Sequence, residues 1–342
     1  MNKIIRSICL AVLMLGVSAA WAGPFEEGVA AYGRGDYASA LKLFRPLAAQ
    51  GYAPAQFNLG VLYERGQGVK QDNTEAVKWY RLSAAQGYTP AQSNLGVLYV
   101  NGKGVKQNFA EAVKWHRLAA AQGNAEAQFD LGVLYGNGQG VKQDYAEAIK
   151  WYRLSAAQGY VSAQLNLGLM YQIGHHVRQD YAEAVKWYRL SAAQGNAEAQ
   201  SNLGAMYANG LGVKQDNTEA VKWYRLSAAQ GHARAQFNLG AVYSNGQGVK
   251  QDYAEAVKWY RLSAAQGYAS AQTNLGARYI NGQGVVQDYV RAHMWFSLVA
   301  VSGDADAVKN RDFIAKRMTP QQIAQAQEMA RDCQQRNFKG CD

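Results

Sequence analysis

The chain has 342 residues and a formal net charge of +10, from 35 Lys and Arg against 25 Asp and Glu. The excess is spread thinly and no recognisable nucleic-acid-binding module accompanies it, which excludes nucleic acid as a partner. No stretch is both long and apolar enough to span a bilayer of about 20 helical residues.

Residues 1–22 read as a cleavable signal peptide. Lys3 and Arg6 make a basic start, Ile8 to Val17 an apolar run, and Ala20-Trp21-Ala22 an A-x-A cleavage site. Cys9 lies inside the apolar run, not at a cleavage junction, which argues against a lipid anchor. The mature product would begin near Gly23, with a net charge of +8, and would be periplasmic or secreted.

Residues 23–51 form a shortened first copy of a unit that then recurs seven times over residues 52–303 with a 36-residue period. The Leu-Gly pair marks the step at Leu59-Gly60, Leu95-Gly96, Leu131-Gly132, Leu167-Gly168, Leu203-Gly204, Leu239-Gly240 and Leu275-Gly276. A fixed period of this length is the mark of a solenoid. Within the copy from Asn124 to Gly159, Ala127, Leu131, Leu134 and Tyr135 line one face of a helix. Tyr145, Ala148, Ile149, Tyr152 and Ala156 line a second. Between them a Gly-Asn-Gly-Gln-Gly stretch forbids one continuous helix. Asp144 followed by Glu147 reads as a capping box, and Gly159 as the residue that closes the second helix. Gly132 stands in mid-helix, where glycine costs roughly 1 kcal/mol relative to alanine, so its recurrence predicts a helix crossing too close for a side chain.

The last copy drifts, with Arg291 and Val286 replacing the usual Glu and Lys. Residues 304–342 then read as capping helices, the second opened by Thr319-Pro320-Gln321-Gln322. The expected fold is all-α, a right-handed α-solenoid of stacked helix-turn-helix repeats.

The motifs A-x-A-Q-x-x-L-G-x-x-Y, G-x-G-V-x-x-D and A-x-x-W-Y-x-x-A-A-x-x-G resemble the Sel-one-like repeat (SLR) family, relatives of the tetratricopeptide repeats. The resemblance covers Phe25 to Gly303. It implies an adaptor or interaction protein, without naming its partner. Cysteine-rich members bridge the helices of each repeat; this sequence has no such cysteines, so functions of that subgroup do not transfer.

By analogy with tetratricopeptide stacks, the first helices line a concave groove, and their residues change from copy to copy. Phe57, Phe129, Leu165 and Phe237 are candidate ligand-facing residues. A polar row runs beside them: Asn58, Asn94, Asp130, Asn166, Asn202, Asn238 and Asn274. Asn both donates and accepts, which suits clamping an extended peptide; the alternative is hydrogen bonding between repeats. Lys70, Lys106, Lys142, Arg178, Lys214 and Lys250 recur in the inter-helix loops. They would form either a rail for an anionic glycan or lipopolysaccharide or an ordinary solvated edge. Cys333 and Cys341 would close a disulfide in an oxidising compartment; the alternative is two free thiols.

The sequence has no HExxH, CxxC or GxSxG motif, and no cofactor is implied. Ser39 and Lys42 match S-x-x-K, but the companion S-D-N and K-T-G motifs of penicillin-interacting enzymes are missing. His175-His176 replaces Gln-Gly in one loop, and two adjacent ligands make a poor metal site. The leading expectation is an exported scaffold that binds a protein or peptide and performs no catalysis. The alternatives are an envelope hydrolase of β-lactamase type and a secreted factor that binds a host protein or glycan.

Overall fold

A computed structural model describes residues 19–342, with side chains described from Gly23 onward. Residues 1–18 of the expected signal segment lie outside the described residues. Among the described residues every regular element is a helix, eighteen in all, and the chain is an all-α solenoid. The residues fall into two compact units, one ending at Tyr160 and one beginning at Val161.

Unit 1 holds α1 (Ala19–Gly33), α2 (Tyr37–Ala49), α3 (Ala53–Arg65), α4 (Asn73–Ala85), α5 (Thr89–Asn101), α6 (Phe109–Ala121), α7 (Ala125–Asn137) and α8 (Tyr145–Ala157). Odd-numbered helices are the first helices of their copies, and each helix packs on its neighbours in sequence. Unit 2 continues the alternation with α9 (Val161–Ile173), α10 (Tyr181–Ala193), α11 (Ala197–Asn209), α12 (Asn217–Ala229), α13 (Ala233–Asn245), α14 (Tyr253–Ala264), α15 (Ala269–Asn281) and α16 (Tyr289–Ala300). It ends in α17 (Ala305–Ala315) and α18 (Pro320–Gln335), both packed on α16.

The Leu-Gly pair sits where the two helices of a copy cross. A Cβ on Gly132 would lie 2.5 Å from the ring of Tyr152. The same meeting joins Gly60 to Tyr80 and Gly96 to His116, and in unit 2 Gly204 to Tyr224 and Gly276 to Phe296. The aromatic ring of the second helix occupies the space a side chain on the first would need. A second glycine serves the stacking of copies. Gly140, at φ 72, brings its loop so close to Phe109 of the preceding copy that a Cβ would lie 2.3 Å from that residue's carbonyl carbon.

Polar side chains tie the two helices of a copy together and join one copy to the next. Gln56 donates to the carbonyl of Ala48 at 3.1 Å and accepts from Gln86 at 2.8 Å. Ser83 donates to the carbonyl of Ala53 at 2.8 Å. Arg81 donates to the hydroxyl of Tyr99 at 2.7 Å, across to the next copy. In unit 2, Gln200, Gln230, Ser227 and Arg225 make the same set of bonds. These glutamines and serines are therefore paired at matching places in the two units, as a low-dielectric interior requires.

The expected capping box of the second helices is only half made. Asp144 accepts from the N–H of Glu147 at 3.0 Å, but the N–H of Asp144 itself is donated to the carbonyl of Tyr135 at 3.0 Å. The reciprocal arm has nothing left to bond, and Glu147 turns to Lys150 at 3.1 Å. Among the described helices only α18 carries a complete box, made by Thr319 and Gln322. Cys333, in the last turn of α18, forms a disulfide with Cys341 beyond the helix. The carboxylate of Asp342, next to it, accepts from Arg261 and Tyr279.

Two substitutions in α7 test the crossing. Gly132→Ala drives a methyl into Tyr152 and is expected to cost about 1–3 kcal/mol by overpacking. Gly136→Ala, where the nearest neighbouring atom is 3.8 Å away, should instead stabilise by about 0.5–1 kcal/mol through helix propensity. Urea denaturation of both variants checks this; equal effects would remove the crossing as the reason for the glycine. At the C-terminus, Cys341→Ser should speed amide exchange around Arg261 and Tyr279 and leave exchange in unit 1 unchanged.

Candidate functional site

The two helices of a copy differ in what they show to solvent. On the second helices the exposed residues barely change. Lys78, Lys114 and Lys150 are exposed at one register position in unit 1, and Arg81, Arg117 and Arg153 at another. Their constancy has a packing reason, because the lysines pair with Glu75, Glu111 and Glu147 and Arg81 and Arg117 reach the next copy at Tyr99 and Tyr135. The first helices carry Pro54, Pro90 and Glu126 as their second residues in unit 1, the prolines half-buried and Glu126 exposed. In unit 2 the same position carries Ser162, Glu198, Arg234 and Ser270. Local structure accounts for part of that variation: Pro54 and Pro90 stand in the first turn of their helices, and Arg234 donates to Asn202 at 3.2 Å.

The aromatic residues expected to face a ligand are occupied elsewhere. Phe57 lies between Tyr80 and Tyr88, with ring centroids 5.6 and 5.4 Å away. Phe129 sits likewise between Tyr152 and Tyr160, and Phe237 between Tyr260 and Tyr268. All three are half-buried cement between one copy and the start of the next. Leu165 is half-buried and packs into the core of unit 2. The sequence held the signal: a Phe at this position is followed by a Tyr at the start of the next copy. Where it becomes Ser93 or Ser201, the next copy starts with Asn124 or His232, which caps its own helix.

The polar row does not present a uniform set of amides. Asn58 and Asn274 donate to backbone carbonyls one turn back, those of Pro54 and Ser270. Asn94 donates to the hydroxyl of Tyr80 in the preceding copy at 3.2 Å. Asn202 is buried, accepts from Arg234 at 3.2 Å and leaves its own amide N–H₂ without a partner. Asn166 and Asn238 are half-buried. Bonding within and between repeats thus uses the donors of Asn58, Asn94 and Asn274.

Asp130 departs from the row together with a second departure. The register of Asn94 and Tyr80 is occupied, one copy on, by Asp130 and His116. His116 is fully buried, with no hydrogen-bond partner on either ring nitrogen, and its Nε2 lies 3.8 Å from Asp130 Oδ2. Ser93, also buried, has no partner for its hydroxyl. Burial lowers the His116 pKa to about 4. Burial first, and the charge of Glu126 second, raise Asp130 to about 7. Burial also raises Glu126. Burial, then Glu126 and Asp130, push the Tyr160 phenol to about 12. Between those two pH values the His116–Asp130 pair holds one proton, on the carboxyl.

Other sequence candidates do not converge. Lys70, Lys106, Lys142, Arg178, Lys214 and Lys250 are all exposed, and nothing beside them points to a glycan or lipopolysaccharide. The rings of His175 and His176 are 4.0 Å apart, and among the described residues no three His, Cys, Asp or Glu side chains gather as metal ligands. Ser39 and Lys42 are both exposed on α2. The sequence reading missed a row of half-exposed leucines on the second helices, Leu82, Leu118 and Leu154 in unit 1 and Leu190, Leu226 and Leu262 in unit 2. Their invariance at an outward register was the available signal. No helix among the described residues is long and apolar enough to cross a membrane.

Stacked helical hairpins of this kind define a repeat scaffold of the protein-interaction type. The chain belongs to the Sel1 repeat family, whose model matches residues 21–52, 53–88, 89–124, 125–160, 161–196, 197–232, 233–268 and 269–300. It is similar to a Sel1 repeat protein from Oxalobacter formigenes, at 39% identity over 70% of this chain and 98% of that one, with a TM-score of 0.65. It is also similar to c5321, a protective antigen of uropathogenic Escherichia coli strains with an SLR fold. That match has 31% identity over 93% of this chain and 92% of that one, with a TM-score of 0.55. No curated protein matches the chain.

The His116–Asp130 pair makes a prediction about pH. A carboxyl raised in the folded state makes stability fall as pH rises from its unfolded value near 3.8 to about 7. Removing it with Asp130→Asn should therefore make the variant gain stability relative to the unchanged chain across that window. Urea midpoints at several pH values check the sign; a constant difference would show that Asp130 is not desolvated.

Proposed function

We propose that this chain is an exported scaffold that binds a protein or peptide along the first helices of its repeats and performs no chemistry of its own. One observation carries the reading. The exposed residues of the second helices stay constant for reasons of packing, while the second residue of the first helices changes from a half-buried Pro54 to an exposed Glu126 and an exposed Arg234. A surface that varies on a constant frame suits a partner that does not itself repeat. Family membership supports the same class, since Sel1 repeats generally bind proteins. Export rests on the basic, apolar and A-x-A order of residues 1–22. A relative described as a protective antigen supports a location accessible from outside the cytoplasm.

A photoreactive amino acid tests the face. Placed at Asn101, Asn137 or Asn209, which are exposed at the ends of first helices, it should crosslink a discrete partner from an envelope extract of the source organism. Placed at Leu118, Leu154 or Leu226 on the second helices, it should not. Crosslinks confined to the leucines would overturn the reading. For export, residues 1–30 fused to alkaline phosphatase should give active enzyme, which forms only outside the cytoplasm; an inactive fusion would overturn that part.

A further inference from the structure

We propose that Asp130, with Glu126 one turn before it on α7, receives a cationic side chain, guanidinium or ammonium, from a protein partner lying on the first helices of unit 1. The proposal rests on the first-helix reading above and narrows it to one subsite and one ligand chemistry.

Three observations point there. The first is a shortage of positive charge. Asp130 and Glu126 are both partly desolvated, and the side chain that approaches Asp130 in the chain is His116 at 3.8 Å, too far for a hydrogen bond. Burial keeps that imidazole neutral above about pH 4, so it brings no charge to the carboxylate. The second is the pairing of departures. His116 is fully buried with both ring nitrogens unpartnered, and its Nε2 is the atom that approaches Asp130. An Asn at 130, as in the six other full copies, would avoid the cost of a half-buried carboxylate. The third comes from unit 2. There Arg234 places its Nη1 3.2 Å from Oδ1 of Asn202, the residue at the register of Asp130. This register of the fold therefore seats a guanidinium from within the chain. The residue corresponding to Arg234 in the copy after Asp130 is Ser162, which carries no charge.

Asp130 remains reachable, with about a quarter of its side chain exposed (27%). A guanidinium arriving there would form charge-assisted bonds with a carboxylate that has few competing donors. Binding would draw the proton off Asp130 at neutral pH, because an adjacent cation favours the ionised form. The groups that face one another are Asp130 and Glu126 on α7, His116 on α6 and the Tyr160 phenol.

The experiment titrates the purified full chain with N-acetyl-Gly-Arg-Gly-amide and with its citrulline analogue, which keeps the shape and loses the charge. The readout is the ring signal of His116 in a carbon–proton correlation spectrum, assigned by its disappearance in His116→Tyr. The arginine peptide should move that signal in a saturable way, and the citrulline peptide should not. Asp130→Asn, which installs the residue of the other copies and so keeps the fold, should weaken the arginine peptide by about tenfold or more. Equal titrations in Asp130→Asn and the unchanged chain would overturn the proposal, as would equal binding of the citrulline peptide. A His116 signal that never moves, with photo-crosslinks still on the first helices, ends the subsite and leaves the interaction reading standing. Crosslinks on the second helices end the interaction reading whatever the peptide does.

Discussion

The structure depends on an aromatic ring lying on bare backbone. In each full copy a glycine of the first helix meets a ring of the second, as Gly132 meets Tyr152 and Gly276 meets Phe296. That contact sets how closely the two helices cross, and the crossing sets where the other residues point. Once it is made, Ser83 reaches the carbonyl of Ala53 and Gln86 reaches Gln56 without adjustment. Glycine in mid-helix weakens the isolated helix by roughly 1 kcal/mol. The buried ring repays that cost only in the packed hairpin, so helix stability here is tertiary in origin.

The architecture was legible because each physical demand recurs at a fixed spacing. Leu131 and Gly132 could be assigned to a crossing, and Asp144 to a helix start, before any coordinate was known. Thr319 and Gln322 announced α18 in the same way. What stayed hidden lay in pairings across copies. Phe57, Phe129 and Phe237 look like a variable ligand-facing set when each copy is aligned on the others. Only the spatial neighbour shows that Tyr88, Tyr160 and Tyr268 are their partners. The half-made capping box has a similar origin: whether the N–H of Asp144 is free depends on Tyr135, nine residues back. The polar row shows the same limit. Identical asparagines turn to their own backbone at Asn58, to a phenol at Asn94 and to a guanidinium at Asn202.

The residues that break the repeat are therefore the informative ones, provided they are read in pairs. His116 alone is a substituted tyrosine and Asp130 alone a substituted asparagine. Together, 3.8 Å apart, they turn a neutral phenol–amide contact into a site with a titratable proton. A frame this regular makes such a pair conspicuous, because every other copy serves as its control.

The seams between copies in unit 1 are also unequal in strength. The seams around Phe57 and Phe129 are closed by tilted aromatic stacks, whereas the one at Ser93 and Asn124 contains a small hydroxyl and a polar cap. In a nearly one-dimensional stack, cooperativity passes from copy to copy through these seams. The Ser93 seam therefore lacks the aromatic contribution that closes its neighbours and is held by the bonds of Arg117 to Tyr135 and Gln128 to Ala120.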